Sequence, residues 1–249
     1  MADLALYDGS VGRTLPVAVG DGTKPQQFKR LGRYGEVYSQ ALGAGKTHIY
    51  ADEGSYFLAT NPTPGTGLAT IAAQASLADT APFILIRNGN PTGGKRIYID
   101  QVMLIVTAPG TAGTAIHFAA KIDATPGARY TSGGSTITPV NVNGDDGNQT
   151  NATIYAGAIV ATAAGNPKLL SHRLVRPVIP VIGDTYVFNF AGAGSGVGGL
   201  VPSGTAISQQ NFDVSPMVIG PGQWGQIHIW LPSQSAASSY EFELGYIER

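Results

Sequence analysis

The stretch Ser239–Glu248, SYEFELGYIE, decides the fold. Large apolar side chains stand at every second position of its first eight residues: Tyr240, Phe242, Leu244 and Tyr246. Glu241 and Glu243 lie between them. In a β-strand successive side chains point to opposite faces, so this pattern predicts a strand with one buried face and one face turned to water or to a partner.

The same alternation recurs along the preceding part of the chain. In residues 223–231, Ile227, Ile229 and Leu231 share one face. Further strand candidates, separated by turn residues, are 83–87, 96–107, 114–122, the weaker 135–139, 153–162, 169–181, 185–190 and 217–219. No long amphipathic helix alternates with these strands, which disfavours a parallel βαβ architecture. The sequence therefore predicts an all-β fold, an antiparallel jelly-roll sandwich over residues 82–249.

Residues 1–81 follow a different pattern. Residues 1–34 contain many glycines and prolines and show no sustained period, so we expect an extended N-terminal arm. Residues 35–81 contain short strand-like runs, such as the alternating run 47–51 and the aromatic run 55–59, and are expected to form a small β-rich section with a connector. Within that section, residues 68–79 (LATIAAQASLAD) are rich in Ala and Leu and predict a short helix.

The arm concentrates basic residues in a chain whose net charge is only −1. Residues 1–34 hold five basic and three acidic side chains. The basic ones, our candidate contacts to other subunits or to a capsid, are Arg13, Lys24, Lys29, Arg30 and Arg33. Two interpretations stay open, a solvated tail and an arm that lies along a neighbouring subunit.

Composition removes several classes of function. Charged residues make up 12% of the 249, against about 25% in an ordinary domain. A net charge of −1 lacks the basic field of sequence-independent nucleic-acid binding, so no direct nucleic-acid partner is expected. With no cysteine, disulfides and thiolate metal sites are excluded.

Two features bear on localisation. The segment MADLALYDGS lacks the basic start and apolar core of a secretory signal. No apolar run approaches the roughly 20 residues of a membrane helix. We therefore expect synthesis in the cytoplasm and no membrane partner.

Two motifs invite chemical interpretations that their context disfavours. Residues 43–47 (GAGKT) look like part of a phosphate-binding loop, but Gln40 stands where a glycine is needed and residues 48–50 look like a strand, not a helix. Residues 141–146 alternate oxygen ligands as a calcium loop does, yet Asp146 replaces the required Gly and Ala152 the bidentate Glu. We expect a polar turn there, with weak calcium binding left open.

The remaining candidates for catalysis are equally poor. The four histidines lie on separate strand candidates without a second ligand at metal-binding spacing: His48, His117, His172 and His228. The nucleophile-elbow pattern around serine is absent. Asp52 and Glu53, if on a strand, would point to opposite faces. We therefore expect a non-enzymatic protein without catalytic, cofactor-binding or metal-binding residues.

Two stretches resemble virion structural proteins of tailed bacteriophages. They are residues 33–68 (RYGEVYSQALGAGKTHIYADEGSYFLATNPTPGTGL) and 216–249 (PMVIGPGQWGQIHIWLPSQSAASSYEFELGYIER). Within the second, residues 216–223 are similar to the late hairpin of jelly-roll capsid proteins. The resemblance implies a capsid decoration (cement) protein or minor capsid subunit that binds and stabilises an icosahedral shell. It also implies a place on the capsid surface, where the partners would be the major capsid protein or other virion subunits. We further expect the chain to bind copies of itself, as a homotrimer.

Rigid β-structure, few charges at contacts and an extended arm suit such a shell component. The alternative is a phage tail or fibre protein that recognises a host-surface glycan. Its site would lie on the long loops 123–134, 140–152 and 191–210, or on aromatic side chains such as Trp224 and Trp230. A third class, a carbohydrate-active enzyme, requires carboxylates facing a cleft, and the chain has only 16 acidic residues.

Overall fold

The computed structural model describes residues 13–17, 27–31, 37–38, 46–71, 74, 76–111, 115–190 and 209–249. The chain divides into two compact units, residues 1–45 and residues 46–249. The described part of the first unit is a three-stranded antiparallel sheet in the order β1-β2-β3. Its strands are β1 (Arg13–Val17), β2 (Gln27–Leu31) and β3 (Val37–Tyr38).

The second unit begins with the helix α1 (Lys46–Asp52) and continues almost entirely as strands. The strands are β4 (Tyr56–Thr60), β5 (Leu68–Ala69), β6 (Ile84–Asn88), β7 (Ile97–Ala108), β8 (Ile116–Asp123), β9 (Tyr130–Ile137), β10 (Val140–Asn141), β11 (Ala152–Ala161), β12 (Pro167–Arg176), β13 (Thr185–Asn189), β14 (Gln209–Asp213), β15 (Met217–Ile219), β16 (Trp224–Trp230) and β17 (Ser239–Glu248).

These strands form two sheets that pack as a sandwich. The larger sheet follows the order β10-β4-β17-β7-β13-β14, with β5 beside β17 and β15 beside β7. The smaller sheet follows the order β12-β8-β16-β6-β11-β9. Of the described strand pairs, β13 with β14 is parallel and the rest are antiparallel. The prediction of an all-β antiparallel sandwich is confirmed.

The chain crosses repeatedly between the two sheets. Eight strands form a run of four neighbours in each sheet: β4, β6, β7, β8, β12, β13, β16 and β17. Numbered first to eighth along the chain, they stand in the order first-eighth-third-sixth in the larger sheet and second-seventh-fourth-fifth in the smaller. Strands β9 and β11 extend the smaller sheet beyond β6.

The core lies between the sheets and is rich in aromatic side chains. Phe118 on β8 stacks on Phe188 of β13, with ring centroids 3.7 Å apart, and so joins the smaller sheet to the larger. Tyr240, Phe242, Leu244 and Tyr246 of β17 are buried as predicted, while Glu241 and Glu243 are half-buried on the opposite face. Each such buried side chain stabilises the fold by roughly 1.5–3 kcal/mol.

Strand β4 lies in the section predicted to stand beside the sandwich, residues 35–81. It pairs with β17, from Tyr56 opposite Ile247 to Thr60 opposite Glu243, and its Phe57 belongs to the common core. The predicted boundaries after residues 34 and 81 stay predictions.

The helix predicted over residues 68–79 is wrong. Leu68 and Ala69 form the strand β5, which pairs with Tyr240 and Ser239 of β17. The next residue, Thr70, donates its amide to the Ser238 carbonyl at 2.9 Å. Tertiary strand pairing here outweighs the helix propensity of Ala and Leu, which amounts to a few tenths of a kcal/mol per residue at about 25 °C.

The strand predicted over residues 47–51 is also wrong, because this segment forms α1. A short alternation of small and apolar residues does not distinguish a strand from a helix turn. The helix is seven residues long.

Among the residues that the structure describes, no helix has the length and apolar character needed to cross a lipid bilayer.

Candidate interaction surface

The connection between β12 and β13 exposes apolar side chains. The sequence predicts a strand over residues 169–181, but β12 ends at Arg176, because Pro177 has no amide hydrogen for the sheet. Beyond it, Val178, Ile179 and Ile182 expose 44%, 41% and 59% of their surface. Large aliphatic residues clustered in a short surface loop are typical of an interface.

A buried ion pair fixes the two ends of this connection. The Arg176 Nη1 atom contacts the Asp184 Oδ2 atom, and both side chains are completely buried. The same carboxylate accepts hydrogen bonds from the Val181 amide at 2.8 Å and from the Tyr186 hydroxyl at 3.0 Å. Burial raises the pKa of Tyr186, so this hydroxyl stays protonated as a donor. The apolar residues therefore sit on a connection with a defined shape.

Strand β12 is itself the edge of the smaller sheet. It exposes Leu169 and Leu174, at 56% and 53%, and its pairing with β8 is interrupted twice by register shifts. Arg173 donates to the Asp213 carbonyl of β14 at 3.1 Å, so the edges of the two sheets meet on this side. We call Leu169, Leu174, Val178, Ile179 and Ile182 the β12 surface. An edge strand with exposed apolar residues favours pairing with another chain.

The five basic residues proposed as contacts all belong to the first unit, and the structure describes three of them. Arg13 begins β1 opposite Leu31, and Lys29 and Arg30 lie in β2 opposite Leu15 and Thr14. Lys24 and Arg33 lie outside the described residues. The contact role of all five stays a prediction.

The suspected calcium segment is a polar turn whose oxygens are largely occupied by the protein. Asn141 Oδ1 accepts the Asn143 amide at 2.9 Å, and Asn143 Oδ1 accepts the Asp145 amide at 3.1 Å. Asp146 Oδ1 accepts the Asn148 amide at 2.7 Å. Because these acceptors already bind backbone amides, the segment resembles a series of side-chain-capped turns more than a cation site.

The same turns form one wall of an open cleft of about 580 Å³. Its lining contains hydroxyl and amide side chains, such as Thr136, Thr138 and Gln149, together with the apolar Phe57 and Pro139. Asp146 is the one charged residue among those lining it in the described structure. The cleft suits a neutral polar ligand better than an ion.

Two histidines that are far apart in sequence meet on β8 and β12. The His117 Nδ1 and His172 Nε2 atoms are 3.2 Å apart. Both rings lie nearly parallel to the Trp230 indole, with centroids 5.0 and 5.7 Å from it. Sequence spacing did not show this pair, because it depends on the pairing of β8 with β12. His48 lies on α1 and His228 is completely buried in β16.

The aromatic residues considered for sugar binding are covered. Trp224 and Trp230 are almost fully buried. Trp224 donates to the Gly127 carbonyl at 2.6 Å, and the histidine pair lies against Trp230. Neither indole offers an open face for a pyranose ring.

Charged residues are also buried on β8, where they support loops. Arg129 contacts Asp79 at 3.0 Å and Asp123 at 2.9 Å, and Lys121 contacts Asp79. Burial acts to raise the pKa of Asp123, but the amides of Thr125, Asn166 and Gly165 outweigh it and hold the pKa below its usual value. These contacts serve to anchor residues 79, 125 and 164–166 to the sheet.

Within the described residues, no group of three or more histidine, aspartate or glutamate side chains is placed to hold a metal ion. No family model, no curated protein and no solved structure matches this chain.

Proposed function

We propose that this chain is a structural virion protein, a decoration or minor capsid subunit that binds and stabilises an icosahedral phage shell. It works through surface contacts, without catalysis. The β12 surface carries the proposal, because it presents three exposed aliphatic residues on a connection fixed by the Arg176–Asp184 pair. Such a surface loses unfavourable hydration when a neighbouring subunit covers it.

The strand order supports a jelly-roll fold for the sandwich. The strand orders first-eighth-third-sixth and second-seventh-fourth-fifth are those expected of an eight-stranded jelly roll, which is built from two Greek keys. Viral capsid subunits often use this fold. Since one fold carries many functions, the strand order supports the proposal without deciding it.

The proposed partners are the major capsid protein, other virion subunits and further copies of this chain, as a homotrimer. The five basic residues Arg13, Lys24, Lys29, Arg30 and Arg33 are proposed to make secondary contacts, which salt should weaken through screening.

The experiment is to purify virus particles from cells that produce a tagged form of the chain, and to ask whether the chain sediments with them. Val178→Ser with Ile182→Ser should release the chain from particles at a lower concentration of mild detergent. Ile49→Ser is the matched control, since Ile49 is 43% exposed on α1, away from the β12 surface. Particles that contain no copy of the chain would refute the proposal.

A phage tail or fibre protein that recognises a host glycan is the second candidate. The observation that favours it is the polar cleft beside residues 141–148, with hydroxyl and amide groups beside an apolar floor. Sugars bind through this combination of polar hydrogen-bonding groups and apolar contact. Retention of the chain by cell-surface polysaccharide, with loss of retention in Gln149→Ala, would favour this candidate over the shell protein.

A further inference from the structure

The His117 and His172 rings face each other, each through one nitrogen. The ring centroids are 5.4 Å apart and the ring planes differ by 8°. The centroid separation nearly equals the 3.2 Å nitrogen separation plus the two ring radii, so the nitrogens lie between the rings and point towards each other. Two imidazole nitrogens, one a donor and one an acceptor, therefore meet at one place on the surface.

The nitrogen spacing matches the bite of a divalent transition metal. With metal–nitrogen bonds of about 2.0–2.1 Å, a spacing near 3.2 Å corresponds to an angle of about 100° at the metal, close to tetrahedral. His172 is exposed, so water has access to the remaining coordination positions. Because the two nitrogens face each other directly, each ring must turn by about 40° to aim its lone pair at such an ion.

The surroundings of the two rings hold them in place. The Trp230 indole supports both rings from one side. The two histidines are diagonal neighbours on the paired strands β8 and β12. His117 lies opposite Leu174, and His172 lies opposite Ala119, two residues along.

We propose that His117 and His172 chelate a borderline divalent transition-metal ion such as Zn²⁺ or Ni²⁺, with water completing the coordination shell. Imidazole nitrogen is a preferred ligand for these ions. In the metal-free pair one ring donates its N–H to the other. On binding, that proton moves through solvent to the outer nitrogen of the same ring, both rings stay neutral, and two metal–nitrogen bonds replace one hydrogen bond. The ion would tie the edge strand β12 to β8.

The test uses the full-length chain and Ni²⁺, which quenches nearby indoles. The ring centroids of Trp230 and His117 are 5.0 Å apart, so bound Ni²⁺ should quench part of the tryptophan fluorescence. The titration should show one ion bound per chain, and Mg²⁺ should cause no quenching. His117→Gln and His172→Gln should each weaken binding at least tenfold and remove the quenching. His48→Gln, on the exposed surface of α1, is the matched control and should leave both unchanged.

A second measurement separates loss of the ligands from loss of the fold. Zn²⁺ should raise the thermal unfolding temperature of the wild type by mass action, and should leave that of the folded double variant His117→Gln/His172→Gln unchanged. Equal metal affinity in the double variant and the wild type, or no binding by the wild type, would overturn the proposal. These outcomes do not depend on whether the chain is a virion subunit.

Discussion

The Arg176 guanidinium and the Asp184 carboxylate form an ion pair in which both side chains are completely buried, one at each end of the connection that exposes Val178, Ile179 and Ile182. Breaking such a pair leaves an uncompensated buried charge, which costs about 3–5 kcal/mol. We expect Asp184→Asn and Arg176→Met each to lower the free energy of unfolding by about this amount. The double variant should lose less than the sum, a coupling that urea denaturation of the four proteins measures. Additive losses would contradict a direct interaction.

The β12 surface should control self-association. Replacing Ile182 by Ser removes its most exposed aliphatic side chain without opening a cavity, so the free energy of unfolding should change by less than about 0.5 kcal/mol. Sedimentation velocity should show a lower-mass species at a given concentration than for the wild type. Ile49→Ser is the control and should leave the mass distribution unchanged, whereas an equal effect of both substitutions would point to general surface hydrophobicity.

His228 should make the protein less stable in mild acid. Burial, followed by the nearby Lys121 charge, lowers its pKa from 6.5 to about 3. Below pH 6.5 the unfolded chain binds a proton that the native state rejects. Stability is therefore fully present above about pH 6.5 and falls as the pH drops towards 3, by up to about 1.4 kcal/mol per pH unit.

Urea unfolding between pH 4.5 and 7.5 checks this prediction, and His228→Leu should flatten the slope. His117 has a pKa shifted in the same direction, so His117→Gln is the control and should keep most of the slope. Asp79 and Asp123, whose pKa values are also lowered, lose their contributions only below about pH 4. If His228→Leu shows the full wild-type slope, His228 is not responsible.

Gly133 should tolerate no side chain. Its φ of 78° is disfavoured for other residues, and a Cβ atom there would lie 2.3 Å from the Ala158 carbonyl oxygen on β11. We expect Gly133→Ala to cost at least about 1–3 kcal/mol, since backbone must move. In Gly144→Ala the added carbon meets nothing within 4 Å, so thermal unfolding of this control should match the wild type.

Local patterns predicted the strands well where large apolar residues stand at every second position. The alternation in β17 and the apolar face of β16 each depend on neighbouring residues only, and both strands are found where expected. Strand β14, QQNFD, has no such pattern, because its place is set by pairing with β13. The segment 68–79 illustrates the opposite error, since Leu68 and Ala69 are drawn into the sheet by β17.

The candidate sites were less predictable than the strands. His117 and His172 meet because β12 pairs with β8, although residues 124–166 separate the two strands in sequence. Nothing in those intervening residues predicts which residues of β8 and β12 are paired. The apolar run after Arg176 resembles a buried strand in sequence, and only the prolines at positions 177 and 180 indicate that it leaves the sheet.

Strand β17 lies between β4 and β7 in the larger sheet. Its Glu243 pairs with Thr60 of β4, although most of the sequence of the second unit separates these two residues. The larger sheet cannot form until strands from opposite ends of that unit pair with each other. Bringing such distant residues together costs conformational entropy. Proteins dominated by such distant pairings fold slowly, in milliseconds to seconds. During this time Phe57 and the aromatic face of β17 are uncovered, so newly made chains are expected to depend on chaperones or on dilution to avoid aggregation.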